Sequence, residues 1–137
     1  MGSPAENGRS DNVHSLRGVR VLVAARDARF VRATTFLLGR HGFVVDSTTN
    51  PGDFLDVAER TAPNVVVLDA SASLGRAART ALAIQGLLPR TQVLLVYEEV
   101  PRSSAYPAFG KWTSLEPLID HIERLHGRAR RARHSAT

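Results

Sequence analysis

The stretch that most limits what this chain can fold into is Asn64 to Asp69, reading NVVVLD. Three valines and a leucine in succession leave no polar face, so the segment suits a strand buried on both sides. It ends in one carboxylate, which places Asp69 at the carboxyl end of a central strand. In open α/β sheets that edge is where ligands and chemistry collect. What Asp69 still does there is the functional question this sequence poses.

Similar runs recur along the chain. Val19 to Ala25 reads VRVLVAA and Thr91 to Tyr97 reads TQVLLVY, both apolar at their centres; Phe43 to Ser47 is more polar and suits a strand near an edge. Helical spacing separates them. Asp27 suits an N-cap for a helix with Phe30, Thr34, Leu37, Leu38 and His41 on one side, stopped at Gly42. Asn50, Pro51 and Asp53 form a helix start, with Phe54, Leu55 and Ala58 as its buried side. A third helix runs from about Leu74 to Leu88, with Ala77, Ala81, Ile84 and Leu88 inward and Arg76 and Arg79 outward. Alternation of buried strands with amphipathic helices predicts right-handed βαβ units and a parallel sheet covered on both faces.

From Glu98 the rhythm breaks. Only five residues separate Pro101 from Pro107, too few for a crossover helix of the length used earlier. Ala108 to Lys111 then reads as a short edge strand. Thr113 and Glu116 form a capping box before a final helix bearing Leu115, Leu118, Ile119, Ile122 and Leu125.

Composition sets the outer limits. At 137 residues and 43% apolar composition the chain suits one domain, read as 18–127, between a disordered tail at 1–17 and a basic flexible tail at 128–137. The absence of cysteine excludes disulfides and thiolate metal sites. No run reaches the roughly 18 apolar residues of a membrane span, and no secretory leader is evident, so a cytoplasmic location is expected. The net charge of +5 owes much to arginine, and a bias of that kind is a poor pointer to nucleic acid. Lys111, the only lysine among 18 basic residues, is more telling, because it suggests a position that wants a compact ammonium.

With these elements placed, Val19 to Leu125 resembles a receiver domain of the two-component response regulators. VLVAARD, VVVLD, VLLVY, FGKW and SLEPLIDHIERL carry the resemblance, in that order. It implies a flavodoxin-like three-layer α/β sandwich with a five-stranded parallel sheet in the order 2-1-3-4-5, its fourth helix shortened or absent here. It also implies the site. Asp69 matches the phosphoacceptor, Lys111 the family's lysine and Tyr97 its switch threonine or serine, while Ala25 and Arg26 occupy the positions of the acidic pair that holds Mg²⁺. Trp112 stands where the family usually has proline.

Those departures have a direct physical consequence. Phosphoryl transfer to a carboxylate gathers negative oxygens, and the metal offsets their repulsion. Ala25 offers no ligand and Arg26 would repel the ion. Asp27 is the nearby carboxylate that remains, and it fits either a metal ligand or the N-cap. Arg26 either pairs with Asp69 beside Lys111 or points to solvent, leaving Asp69 to Lys111 alone. The bulky Tyr97 ring cannot repeat a small hydroxyl's movement. No metal or other cofactor is expected, and no enzymatic activity.

The expected function is therefore that of an atypical receiver: a phosphorylation-independent protein-interaction module in bacterial signalling, with another regulatory protein or a second copy of itself as partner. Tyr106, Phe109 and Trp112 are interface candidates. Two alternatives stand beside it. One is a working phosphoacceptor at Asp69 with an altered metal site. The other is nucleic-acid binding through Arg124, Arg128, Arg130, Arg131 and Arg133, although no accompanying recognition module is evident.

Overall fold

Five short strands hydrogen-bond side by side, all parallel, in the order β2-β1-β3-β4-β5. The computed structural model describes residues 18–71, 74–112 and 115–136; the tail expected at 1–17 and the capping residue Thr113 lie outside these. In chain order the elements are β1 (Arg20–Ala24), α1 (Ala28–Arg40), β2 (Val44–Thr48), a 3-10 turn (Pro51–Asp53), α2 (Phe54–Thr61), β3 (Val65–Asp69), α3 (Leu74–Leu87), β4 (Gln92–Tyr97), β5 (Ala108–Gly110) and α4 (Leu115–Ala136).

The period of two along each strand divides the core into two layers. Val21 and Val23 of β1, Val65 and Val67 of β3, and Leu94 and Val96 of β4 pack with Phe30, Val31 and Leu38 of α1 and with Leu118, Ile119 and Ile122 of α4. Residues of the opposite parity, Leu22, Val66, Leu68, Val93 and Leu95, pack with Phe54 and Ala58 of α2 and Ala77, Ala81 and Ile84 of α3. Because β1, β3 and β4 are apolar at both parities, they can lie only in the middle. β2, half-buried and polar, takes one edge, where Asp46 meets Arg20 of β1 at 3.3 Å. Thr91 Oγ1 donates to the Pro63 carbonyl at 2.7 Å, tying the starts of β3 and β4 together at the opposite end from the site.

Several expectations need adjustment. Leu55 is 38% exposed. Once Phe54 and Ala58 face the sheet, the helical stripe runs through half-buried Val57 and Thr61, which turns Leu55 about 100° away from it. His41 lies outside the buried face: it is the C-cap of α1, exposed and 3.7 Å from Glu123. Gly42 follows with φ of 95°, a left-handed turn that glycine adopts freely. The helical backbone of α4 runs from Leu115 to Ala136 and so includes residues 128–136 of the basic segment.

Between β4 and β5 there is no helix. Residues 98–107 cross as bends and extended chain, and the Pro107 carbonyl accepts from Leu95 N at 2.9 Å as β5 begins. The edge that a fourth crossover helix would cover is filled instead by aromatic rings. Tyr97 is buried in the α2/α3 layer with half-buried Tyr106 packed against it.

Candidate functional site

β1, β3, β4 and β5 all deliver their carboxyl ends to one rim of the sheet, and the charged groups gather there. Lys111 follows β5 directly, and its backbone N–H donates to the Tyr97 carbonyl at 2.7 Å, which fixes the residue against the end of β4. Its ammonium reaches across the rim to Asp69 Oδ2 at 2.9 Å and Asp27 Oδ2 at 3.2 Å. Glu98 Oε1 stands at 4.0 Å, on a side chain largely in solvent. The Nζ also lies 5.6 Å from the Phe30 ring centre and 5.9 Å from that of Trp112. Three donors on a point charge can serve two carboxylates and two ring faces at once. A planar guanidinium could not do so without spreading the cluster.

Each carboxylate is also held by the backbone. Asp69 Oδ1 accepts from Ser71 N at 2.9 Å, so the aspartate is fixed at both oxygens. Asp27 Oδ1 accepts from Arg29 N at 3.0 Å and Phe30 N at 3.2 Å, capping α1, while its other oxygen meets the lysine. Of the two readings of Asp27, metal ligand or N-cap, its Oδ1 makes the cap, and its other oxygen is paired with the lysine. Its carboxyl pKa is lowered, first by the Phe30 N–H, against the opposing effect of burial, with further lowering from Lys111 and the Arg29 N–H. Burial by itself would push the Lys111 ammonium down. Hydrogen bonding and attraction from Asp69 and Asp27 outweigh it, and its pKa is raised.

Ala25 and Arg26 lie where β1 leaves the sheet. Ala25 is buried, with its N–H donating to the Thr48 carbonyl at 3.2 Å. Arg26 is exposed and, among the described residues, makes no ion pair with Asp69. A magnesium ion, as the receiver resemblance implies, needs several oxygen ligands beside the acceptor. Ala25 supplies none and Arg26 brings a positive charge, while Asp69 and Asp27 already share the lysine. The residues present do not fit the ion.

Tyr97 stands apart from the charge cluster. Its ring is 7% exposed within the α2/α3 layer, and its hydroxyl lies 3.5 Å from Ser104 Oγ. Of the three interface candidates, Tyr106 is half-buried and donates to Gln85 Oε1 at 3.2 Å. Phe109 is half-buried edge-on to His121, with centroids 5.5 Å apart. Trp112 is 53% exposed and meets Phe30 at 5.6 Å in a T-shaped contact.

Sequence reasoning missed one feature of this rim. A cleft of about 460 Å³ opens beside Asp69, bounded by Arg26, the Pro51–Gly52 turn, Phe54 and the first turns of α3, including Arg76. Arg76 was legible only as an outward residue of a helix. Its place in the first turn, just after the Asp69 loop, was the available clue.

A doubly wound sheet in the order 2-1-3-4-5, with an aspartate ending β3 and a lysine after β5, defines the receiver fold. No protein-family model matches the sequence, and no curated protein does. Solved structures do match. A CheY-like receiver domain protein from Methanospirillum hungatei superposes with a TM-score of 0.70 at 16% identity, covering 83% of this chain and 98% of its own. A response regulator from Thermotoga maritima gives 0.69 at 17%, covering 80% and 98%. The Vibrio cholerae chemotaxis protein CheY4 gives 0.68 at 15%, covering 77% and 97%. At such identities the likeness is one of fold, and the chain has a receiver-type fold with four α-helices among the described residues.

Proposed function

We propose that this domain is an atypical receiver that works as a protein-interaction module in bacterial signalling without being switched by phosphorylation. One observation carries the reading. The Lys111 ammonium joins Asp69 and Asp27 at 2.9 and 3.2 Å, in a rim where the metal-binding positions are occupied by Ala25 and Arg26. A phosphoryl group arriving at Asp69 would have to displace that lysine with no metal to screen the added charge.

The connection between β4 and β5 supports the same reading. A receiver that relays phosphorylation needs a mobile group at the end of β4, and here that position is a buried tyrosine ring. Recognition is then assigned to the surface beside the cluster, where Trp112 exposes an aromatic face to a partner protein. Nothing in this reading calls for an enzyme activity.

Intact-mass measurement after incubation with a small phosphodonor, with and without Mg²⁺ and beside Asp69→Ala, tests the proposal. No phosphoryl mass should be added in any arm. Mg²⁺-dependent addition that Asp69→Ala abolishes would establish the phosphoacceptor reading instead.

A further inference from the structure

We infer that the outer surface of the α1/α4 layer is a docking face for a second copy of this chain, related to the first by a twofold axis that runs along the helices. α1 and α4 lie on the same side of the sheet and point the same way. Phe30 meets the Trp112 ring near the start of both helices, and His41 meets Glu123 eleven residues further along each, by subtraction of their numbers.

The two helices turn opposite charges outward. At about 100° per residue, Arg29, Arg32, Ala33, Phe36 and Arg40 fall within an arc of about 100° on α1, away from the face that buries Phe30, Val31, Thr34 and Leu38. All five are exposed, and the helix contains no acid. On α4, Glu116, Asp120 and Glu123 fall within about 60° of one another, on the side where Glu123 meets α1. Glu116 and Asp120 are exposed, and Arg124 is the one exposed cation among the described side chains of that helix. Among the described residues no ion pair involves Arg29, Arg32, Glu116 or Asp120.

A positive helix beside a negative one makes a surface complementary to itself. A half-turn about an axis parallel to the helices lays the second copy's α4 over α1 and its α1 over α4, so that arginines meet acids twice. An axis across the helices would instead set α1 on α1 and bring like charges together, so charge selects the first arrangement. Phe36, 62% exposed with the Arg40 guanidinium 5.8 Å from its ring centre, gives the contact an aromatic anchor. With 13 residues α1 spans about 20 Å, so the face is small beside the roughly 800 Å² that a standard interface buries on each partner, and the dimer is a weak, reversible one. The inference depends neither on the phosphorylation of Asp69 nor on recognition at Trp112, so its failure would leave the proposed function standing.

Sedimentation equilibrium of the full chain tests it, at low salt and at about 1 M salt, where the screening length falls to about 3 Å. A reversible monomer–dimer equilibrium that weakens with salt is expected. Arg32→Glu and Asp120→Arg should each weaken dimerisation at least about tenfold, because each sets like charges together twice. An equimolar mixture of the two variants should dimerise again, since the reversed charges then face each other and the unaltered stripes meet as before. That rescue also separates lost contact from lost folding. Arg79→Glu, exposed on α3 in the opposite layer, should change nothing. A chain that stays monomeric at every concentration, a dimer indifferent to both charge reversals, or a mixture no more dimeric than its components would overturn the assignment and give this face to a different protein or to none.

Discussion

Replacing Lys111 with alanine leaves two carboxylates facing each other at the sheet rim, one of them, Asp69, with only 8% of its side chain exposed. The expected loss of stability is about 3 kcal/mol, as for other buried pairs broken on one side. Lys111→Met combined with Asp69→Asn should cost clearly less than the sum of the two changes, because the pair is then removed together. Urea denaturation of Lys111→Ala and of the four proteins of that cycle measures both. The pH dependence follows from the two shifts. The Asp27 pKa is lowered, so its contribution is present above the ordinary value of 3.8 and is lost as pH falls through the lower folded value. The Lys111 pKa is raised, so its contribution is present below 10.5 and is lost as pH rises through the higher folded value. The gap between wild type and Lys111→Met should therefore be flat from about pH 5 to pH 9 and shrink outside that window.

At the scale of elements, the β4–β5 connection departs furthest from the receiver pattern. With no helix over residues 98–107, the α2/α3 layer would lie open beside β4 and β5 unless other groups covered it. Tyr97 and Tyr106 do so, and Ser104 holds the hydroxyl of one and the backbone of the other. Tyr97→Ala should cost about 3–4 kcal/mol through the cavity it leaves. Tyr97→Phe should cost less than about 1 kcal/mol, because the hydroxyl contact is long at 3.5 Å. Thermal and urea unfolding of the two variants separates these roles. A large cost for the phenylalanine variant would mean that the hydroxyl, rather than the ring, holds the connection in place.

For the whole molecule, the charge cluster and the exposed aromatic face lie on the same rim, because Lys111 and Trp112 are adjacent and both follow β5. A partner that covers Trp112 also covers the lysine that holds Asp69. Trp112→Ala should therefore reduce binding to a partner protein, while shifting unfolding free energy by no more than about 1 kcal/mol, as befits a half-exposed ring with one aromatic contact. Equal loss of stability and binding would assign Trp112 to the core instead. Among the described residues no helix is long and apolar enough to cross a membrane.

Much of this architecture could be read without coordinates. Runs such as VVVLD and VLLVY have no polar face, so they must be central strands, and the helical spacing between them requires parallel crossovers on both sides. The short interval from Pro101 to Pro107 excluded a full helix by length alone. Other features depend on distances between residues far apart in the chain. The second partner of Lys111 is Asp27, 84 positions earlier by subtraction of their numbers, and sequence offered that aspartate only as a cap or a metal ligand. Leu55 was misplaced because periodicity is blind to phase until one residue is fixed against the sheet. The cleft between Arg26 and Arg76 exists only because β1 ends and α3 begins at the same rim. Sequence by itself determined which strands lie at the centre of a parallel sheet, since burial pattern is a local property, while the sheet order and the site positions at its edge were what the receiver resemblance implied. Tertiary structure alone decided which charges pair, because pairing depends on where separate strand ends meet in space.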